Sequence, residues 1–128
     1  MKYKSNLERN IAKALEESKI VFEYESQRLS YQPKVRTYLP DFYIPDDDFY
    51  IEGKGYFHDS QERTRHLLIR EQLGVDVKFV FGNSSNRIGK GSKMTYANWC
   101  DKHNFDYSDE RPLKKWFSNN KGKGKRHG

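Results

Sequence analysis

Two carboxylates and a lysine set the chemistry this chain can do. Asp41 follows Pro40, and Glu52-Gly53-Lys54 lies a short hairpin's length further on. Phe42 to Ile44 and Phe49 to Gly53 read as two strands, joined by Pro45-Asp46-Asp47-Asp48, which has turn chemistry. A turn pivoting between Asp46 and Asp47 pairs Asp41 with Glu52, Phe42 with Ile51, Tyr43 with Tyr50 and Ile44 with Phe49. Side chains alternate along a strand. Phe42, Ile44, Phe49 and Ile51 therefore share an apolar face. Asp41, Tyr43, Tyr50, Glu52 and Lys54 share the other. Carboxylates opposed at roughly 5 Å repel, and a bound divalent cation turns that liability into a ligand set. Hard oxygen donors suit Mg²⁺, with Mn²⁺ able to substitute. Lys54 can orient or deprotonate the attacking water, or neutralise charge on the phosphate. The expected chemistry is metal-assisted phosphodiester hydrolysis. The bland alternative is a pair of solvated acids on an open sheet face. The apolar face in register behind them favours the site.

Other candidates carry two readings each. Glu8 is three residues past Ser5 and fits a capping box, which would spend it on its own helix; it could also be a further metal ligand. Glu23 and Glu25 alternate with Phe22 and Tyr24, and pattern alone does not separate the two acids. Arg63, Arg65, His66 and Arg70 crowd one predicted helix, as a phosphate-contacting face or a solvated one. Arg87, Lys90 and Lys93 lie with Gly89 and Gly91 in a loop where the backbone could approach a phosphate. No His-Asn-His motif or paired metal-histidine spacing is present, and Trp99 and Cys100 read as core.

The elements that must hold these residues follow from local signals. Ser5 to Ser18 reads as a helix, with Leu7, Ile11, Ala14 and Leu15 at helical spacing. Val21 to Ser26 alternates as a strand. Leu29 to Tyr38 is an extended connection with a strand near Val35 to Tyr38. A second helix is expected from Asp59 to Leu73, started by Asp59 with Glu62 three residues on and stopped by Gly74. Val75 to Phe81 is a strand, Gly82 to Lys93 a loop, and Thr95 opens a third helix to about His103. Pro112 to Phe117 reads as a short last helix. The order is that of a mixed α/β sheet with flanking helices.

Composition bounds the rest. The 128 residues suit one domain, residues 1–117, followed by a basic low-complexity tail, residues 118–128, expected to be disordered. Only 34% of residues are hydrophobic and 33% are charged, so the core must lean on its nine Tyr, eight Phe and two Trp. A core so modest is also a hint of dimerisation. Of the net charge of +6, Lys121, Lys123, Lys125 and Arg126 supply most, leaving the body mildly positive. Such a balance favours nucleic acid or another anionic surface; a merely solubilising tail is the alternative. One cysteine, Cys100, excludes an internal disulfide framework and fits a reducing cytoplasm. No signal peptide or membrane-spanning run is evident.

With these residues in place, the chain resembles the phage endonuclease I family of Holliday-junction resolvases, within the PD-(D/E)xK nuclease superfamily. The likeness runs from about Ser5 to Phe117, through SNLERNIAKAL, IVFEYE, YLPDFYIP, IEGKG, RHLLIREQ and KGSKMTYANWCDKHNF. It implies a divalent-metal endonuclease that cuts branched DNA, above all four-way junctions. It puts metal-binding acids on Asp41 and Glu52, the catalytic lysine on Lys54, a helix glutamate on Glu8 and the FEYE glutamate on Glu23 rather than Glu25. It also implies an intertwined homodimer, in which Glu8 is supplied by the other subunit through the Leu29 to Tyr38 segment. The chain departs from the family in a longer Asp46-Asp47-Asp48 turn and in the segment around Pro33. The rival readings are a sequence-specific or nicking endonuclease of the same fold, and a non-catalytic DNA-binding module. The latter has no need of opposed carboxylates.

Overall fold

The computed structural model describes residues 2–31 and 36–118. The first helix, α1 (Asn6–Glu17), starts where Ser5 accepts a hydrogen bond from the Glu8 amide. Two short strands, β1 (Glu23–Tyr24) and β2 (Leu29–Tyr31), precede β3 (Arg36–Tyr38). The hairpin follows as β4 (Phe42–Ile44) and β5 (Phe49–Lys54). Then come α2 (Ser60–Leu73), β6 (Val77–Phe81), α3 (Tyr96–His103) and β7 (Tyr107–Asp109), with a 3₁₀ turn at Lys114–Trp116.

Five strands form one mixed sheet in the order β1-β4-β5-β6-β7. The β1, β4 and β5 strands run antiparallel, whereas β5, β6 and β7 run parallel through the helical crossovers α2 and α3. The hairpin has the expected register: Phe42 faces Ile51, Tyr43 faces Tyr50 and Ile44 faces Phe49. Its two faces diverge as the alternation requires. Phe42, Ile44, Phe49 and Ile51 meet Ile11, Ala12 and Leu15 of α1 in one core. Tyr50 goes to the opposite core, with Phe57, Ile69, Phe79, Phe81, Tyr96 and Trp99. Fully burying an aliphatic side chain such as Ile11 or Leu15 is worth about 2 kcal/mol, which fastens α1 to the sheet.

Helix ends match their local signals. Asp59 caps α2 through the Gln61 amide, and Gly74 closes it in the left-handed conformation at φ 64°. Thr95 and Asn98 form a reciprocal capping box on α3. Strand lengths differ from expectation. The first strand is confined to Glu23–Tyr24: the Glu25 amide still donates to Asp41 O at 2.9 Å, but Glu25 turns to φ 48° and ends the extended run. The expected extended connection carries pairing at both ends: Leu29 faces Tyr38 and Ser30 faces Thr37, so β2 and β3 form a two-stranded antiparallel sheet, while Val35 of the expected strand lies outside the described residues. The β7 strand was not anticipated. The expected tail lies outside the described residues except for Ser118, whose hydroxyl donates to Asp47 Oδ1 at 2.5 Å.

Candidate active site

The acidic cluster stands where α1 crosses the end of the hairpin. Ile11 of α1 rests on Gly53, where an added Cβ would lie 2.9 Å from Ile11 Cδ1. The close approach lowers Glu8 onto the sheet beside Asp41. Glu8, Asp41 and Glu52 are all buried, at 6%, 5% and 7% exposure. Isolated buried carboxylates are costly unless bonded or paired, so each one's partners indicate what the site is built to hold.

Glu8 is not consumed by its cap. Ser5 accepts from the Glu8 amide, but the Glu8 carboxylate turns inward. Its Oε1 accepts from the Lys4 amide at 2.9 Å and from the Tyr24 hydroxyl at 2.5 Å. Burial and this carboxylate both raise the Tyr24 pKa. Asp41 Oδ2 accepts from the Gly53 amide at 2.9 Å. Glu52 Oε1 accepts from the Tyr38 hydroxyl at 2.6 Å, and its Oε2 lies 3.3 Å from Lys54 Nζ. The ammonium of Lys54 also pairs with Glu62, reached from the first turn of α2.

Asp41, Glu8 and Glu25 each offer an oxygen within 4.8 Å of the others. Glu25 also pairs with Lys4. Its positive φ places it there. Glu23 stays on the strand opposite Tyr43, is exposed, and accepts from the Ser26 hydroxyl at 2.6 Å. The two acids that pattern could not separate are thus divided by the backbone: Glu25 joins Asp41 and Glu8, whereas Glu23 does not.

The cluster holds more acid than it can ionise by itself. Burial, then the neighbouring charge of Glu52, pushes the Asp41 carboxyl up to about 8, against the opposing Gly53 amide. Burial also raises Glu52, and Lys54 and the Tyr38 hydroxyl oppose that rise. Burial disfavours the Lys54 ammonium, but Glu52 and Glu62 outweigh it and its pKa rises. All the donors here are hard oxygens, and protons or a cation must offset their charge. The donor set and its excess of acid fit a divalent metal.

Four basic candidates remain exposed: Arg65, Arg87, Lys90 and Lys93. Three others turn onto the protein. Arg63 donates to the carbonyls of Phe57 at 2.6 Å and Ile88 at 3.3 Å, tying two loops together. Arg70 covers the Phe105 ring at 4.1 Å and donates to Asn104 O at 3.3 Å. His66, expected among the DNA contacts, is instead 3% exposed and packed edge-on to Tyr38 and Phe79, which removes it from any DNA-facing surface.

Three members of the site escaped sequence reasoning. Glu62 carried a signal only as a helix-start acid. Tyr38 had only its place in a β-forming stretch. Glu25 was visible, but pattern left it level with Glu23, and the family resemblance pointed to Glu23 instead.

Known proteins resemble this chain along most of its length. The signature of the family described as phage endonuclease I matches residues 1–124. The chain is 40% identical over 111 residues to Endodeoxyribonuclease 1 of Enterobacteria phage T3, covering 84% of this chain and 72% of that protein. It is 37% identical over 118 residues to Endonuclease I of Escherichia phage T7, covering 90% of this chain and 78% of that protein.

Proposed function

This chain belongs to the phage endonuclease I family and is an endodeoxyribonuclease, and from that premise we propose that its substrate is branched DNA, chiefly four-way (Holliday) junctions, hydrolysed at a Mg²⁺ site built on Asp41 and Glu52. The observation that carries the site is the burial of Asp41 and Glu52 at one end of a hairpin, with Lys54 against Glu52 and Glu8 brought in by α1. The mixed sheet around that hairpin supports a PD-(D/E)xK fold.

Asp41, Glu52 and Glu8 would hold the metal, and Glu25 offers a further oxygen within 4.8 Å of those of Asp41 and Glu8, a group that does not include Glu52. When bound, a divalent cation lowers the pKa of water and stabilises charge on the attacking or leaving oxygen. The protein's own part is orientation and electrostatics. Tyr38 fixes one oxygen of Glu52 and leaves the other toward Lys54. Lys54, kept charged by Glu52 and Glu62, neutralises the phosphate as negative charge builds in the transition state and orients the incoming water. Glu23 is the remaining acid that the family resemblance assigns to catalysis; its exposed place on β1 suits contact with substrate rather than with the Asp41 carboxylate.

The active form is an intertwined homodimer, in which the β2–β3 segment opens and α1 passes to the partner with its Glu8. Two sites related by a two-fold axis suit paired cuts across a two-fold junction. Arg65, Arg87, Lys90 and Lys93 contact the backbone of the arms.

Labelled four-way junctions, matched linear duplex and single strands, incubated with Mg²⁺ or EDTA, test the reading. Cleavage of the junction in Mg²⁺ alone is expected. No cleavage of any substrate in Mg²⁺ would remove the metal-site reading. Cutting of linear duplex at one sequence as readily as the junction would replace it with a sequence-specific enzyme.

A further inference from the structure

Among the large hydrophobic side chains of the described residues, Tyr56 is the most exposed, at 74%. It lies two residues past Lys54, on the loop that carries β5 toward α2. Its ring packs against His58, with centroids 5.0 Å apart, and His58 in turn leans on Tyr96 at 5.8 Å. Tyr56 and His58 form one wall of a cleft of about 640 Å³, and Asn86, Arg87 and Lys90 line the other side. No carboxylate lines it.

The two loops that bear the cleft are tied together. Arg63 donates to the carbonyls of Phe57 on one loop and Ile88 on the other, so both share one guanidinium. The Ile88 amide donates to Met94 O at 2.9 Å, and Arg87 bridges to Thr95. These bonds hold the basic loop in shape.

An exposed aromatic wall facing cations, without acids, matches one chemistry: a flat nucleobase with phosphate on either side. Stacking on aromatic side chains is how proteins bind bases outside a duplex. Exposed tyrosine facing water gains nothing comparable in the free protein. We propose that the cleft takes an unstacked base at the branch point of the DNA, stacked on Tyr56, with its flanking phosphates on Arg87 and Lys90. This rests on the branched-DNA substrate proposed above, and it makes Tyr56 a determinant of the preference for branched over linear DNA.

The test measures binding of wild type, Tyr56→Ala and Tyr56→Phe in EDTA, where nothing is cut. The probes are a four-way junction, the same junction with two unpaired thymines at the branch, and a linear duplex. Wild type is expected to bind the junctions more tightly than the duplex, and the thymine-bearing one most tightly. Tyr56→Ala should lose about ten-fold on both junctions, the scale of one base–aromatic stack, with duplex binding unchanged. Tyr56→Phe should keep the preference, since it keeps the ring. A Tyr56→Ala variant that retains the full preference, or weakens on all three DNAs equally, overturns the stacking proposal and leaves the junction reading standing. A wild type without preference for branched DNA overturns the substrate reading itself, and the stacking proposal with it.

Discussion

Without metal, replacing the acid at the centre of the site should stabilise the protein. Asp41, ordinarily 3.8, is held up to about 8 by burial and by Glu52. The folded chain therefore keeps a proton that the unfolded chain has released at neutral pH. At about 1.4 kcal/mol per unit, this costs up to about 4 kcal/mol at pH 7. Asp41→Asn removes the charge and keeps an acceptor for the Gly53 amide, though a weaker one, which returns about 1 kcal/mol. Glu52 carries part of the remaining cost in either protein. The expected net gain is about 2 kcal/mol, or about 8 °C in Tm for a chain of this size. The sign in pH follows from the direction of the shift. A raised carboxyl makes stability fall as pH rises from about 4 to about 8, so the advantage of Asp41→Asn should be full near pH 8 and vanish below about pH 4. Thermal melts of both proteins in EDTA at pH 4, 5.5 and 7 read this directly. Saturating Mg²⁺ should raise the wild type preferentially, by about 2.7 kcal/mol at a hundred times its dissociation constant, and so close or reverse the gap. An Asp41→Asn protein that melts at or below wild type at pH 7 in EDTA refutes the reasoning, as does a gap of the same size at pH 4.

Three further outcomes are expected. His66 is pushed down to about 3, first by burial and then by Lys54 and Arg65; the unfolded chain takes up its proton below about 6.5, so stability should fall by about 2 kcal/mol from pH 6.5 to 5, and chemical denaturation of His66→Phe should show a shallower slope over that window. Glu62→Gln frees Lys54 from its α2 partner and should lower kcat about ten-fold at near-constant KM, with Glu62→Asp recovering part of the loss in single-turnover kinetics; unchanged kcat would leave Glu62 a surface residue. Mixing inactive Glu8→Gln and Asp41→Asn proteins, refolded together, should restore junction cleavage from the one intact site per heterodimer, and silence after verified mixing would place Glu8 in its own chain's site.

Much of the scaffold was legible because its causes are local. The register of the β4–β5 hairpin follows from the turn and from the alternation of Phe42, Ile44, Phe49 and Ile51, since a one-residue slip would turn those side chains away from α1 to the opposite face. Ser5, Asp59, Thr95 and Gly74 mark helix ends because capping involves only neighbours in the chain. The short strands β2 and β7 were hidden, because few residues carry their pattern and their pairing depends on an edge formed elsewhere. The α2 helix has no clean apolar stripe: His66 and Ile69 are buried while Leu67 and Leu68 are only half so. Which of its basic residues face outward could not be read from spacing.

The sequence by itself singled out the candidate chemistry: Asp41, Glu52 and Lys54 lie within one hairpin, where local alternation directs them to a common face. The tertiary structure decided what surrounds them. It turned Glu8 from its cap toward Asp41, because α1 packs across the apolar face of the hairpin. It chose Glu25 over Glu23 for that cluster through one left-handed residue, and brought Tyr38 to Glu52 and Glu62 to Lys54 from separate elements. It buried His66 and set Tyr56 beside the basic loop. These choices depend on distances between segments far apart in the chain, and such distances are fixed only when the cores on both faces of the sheet close.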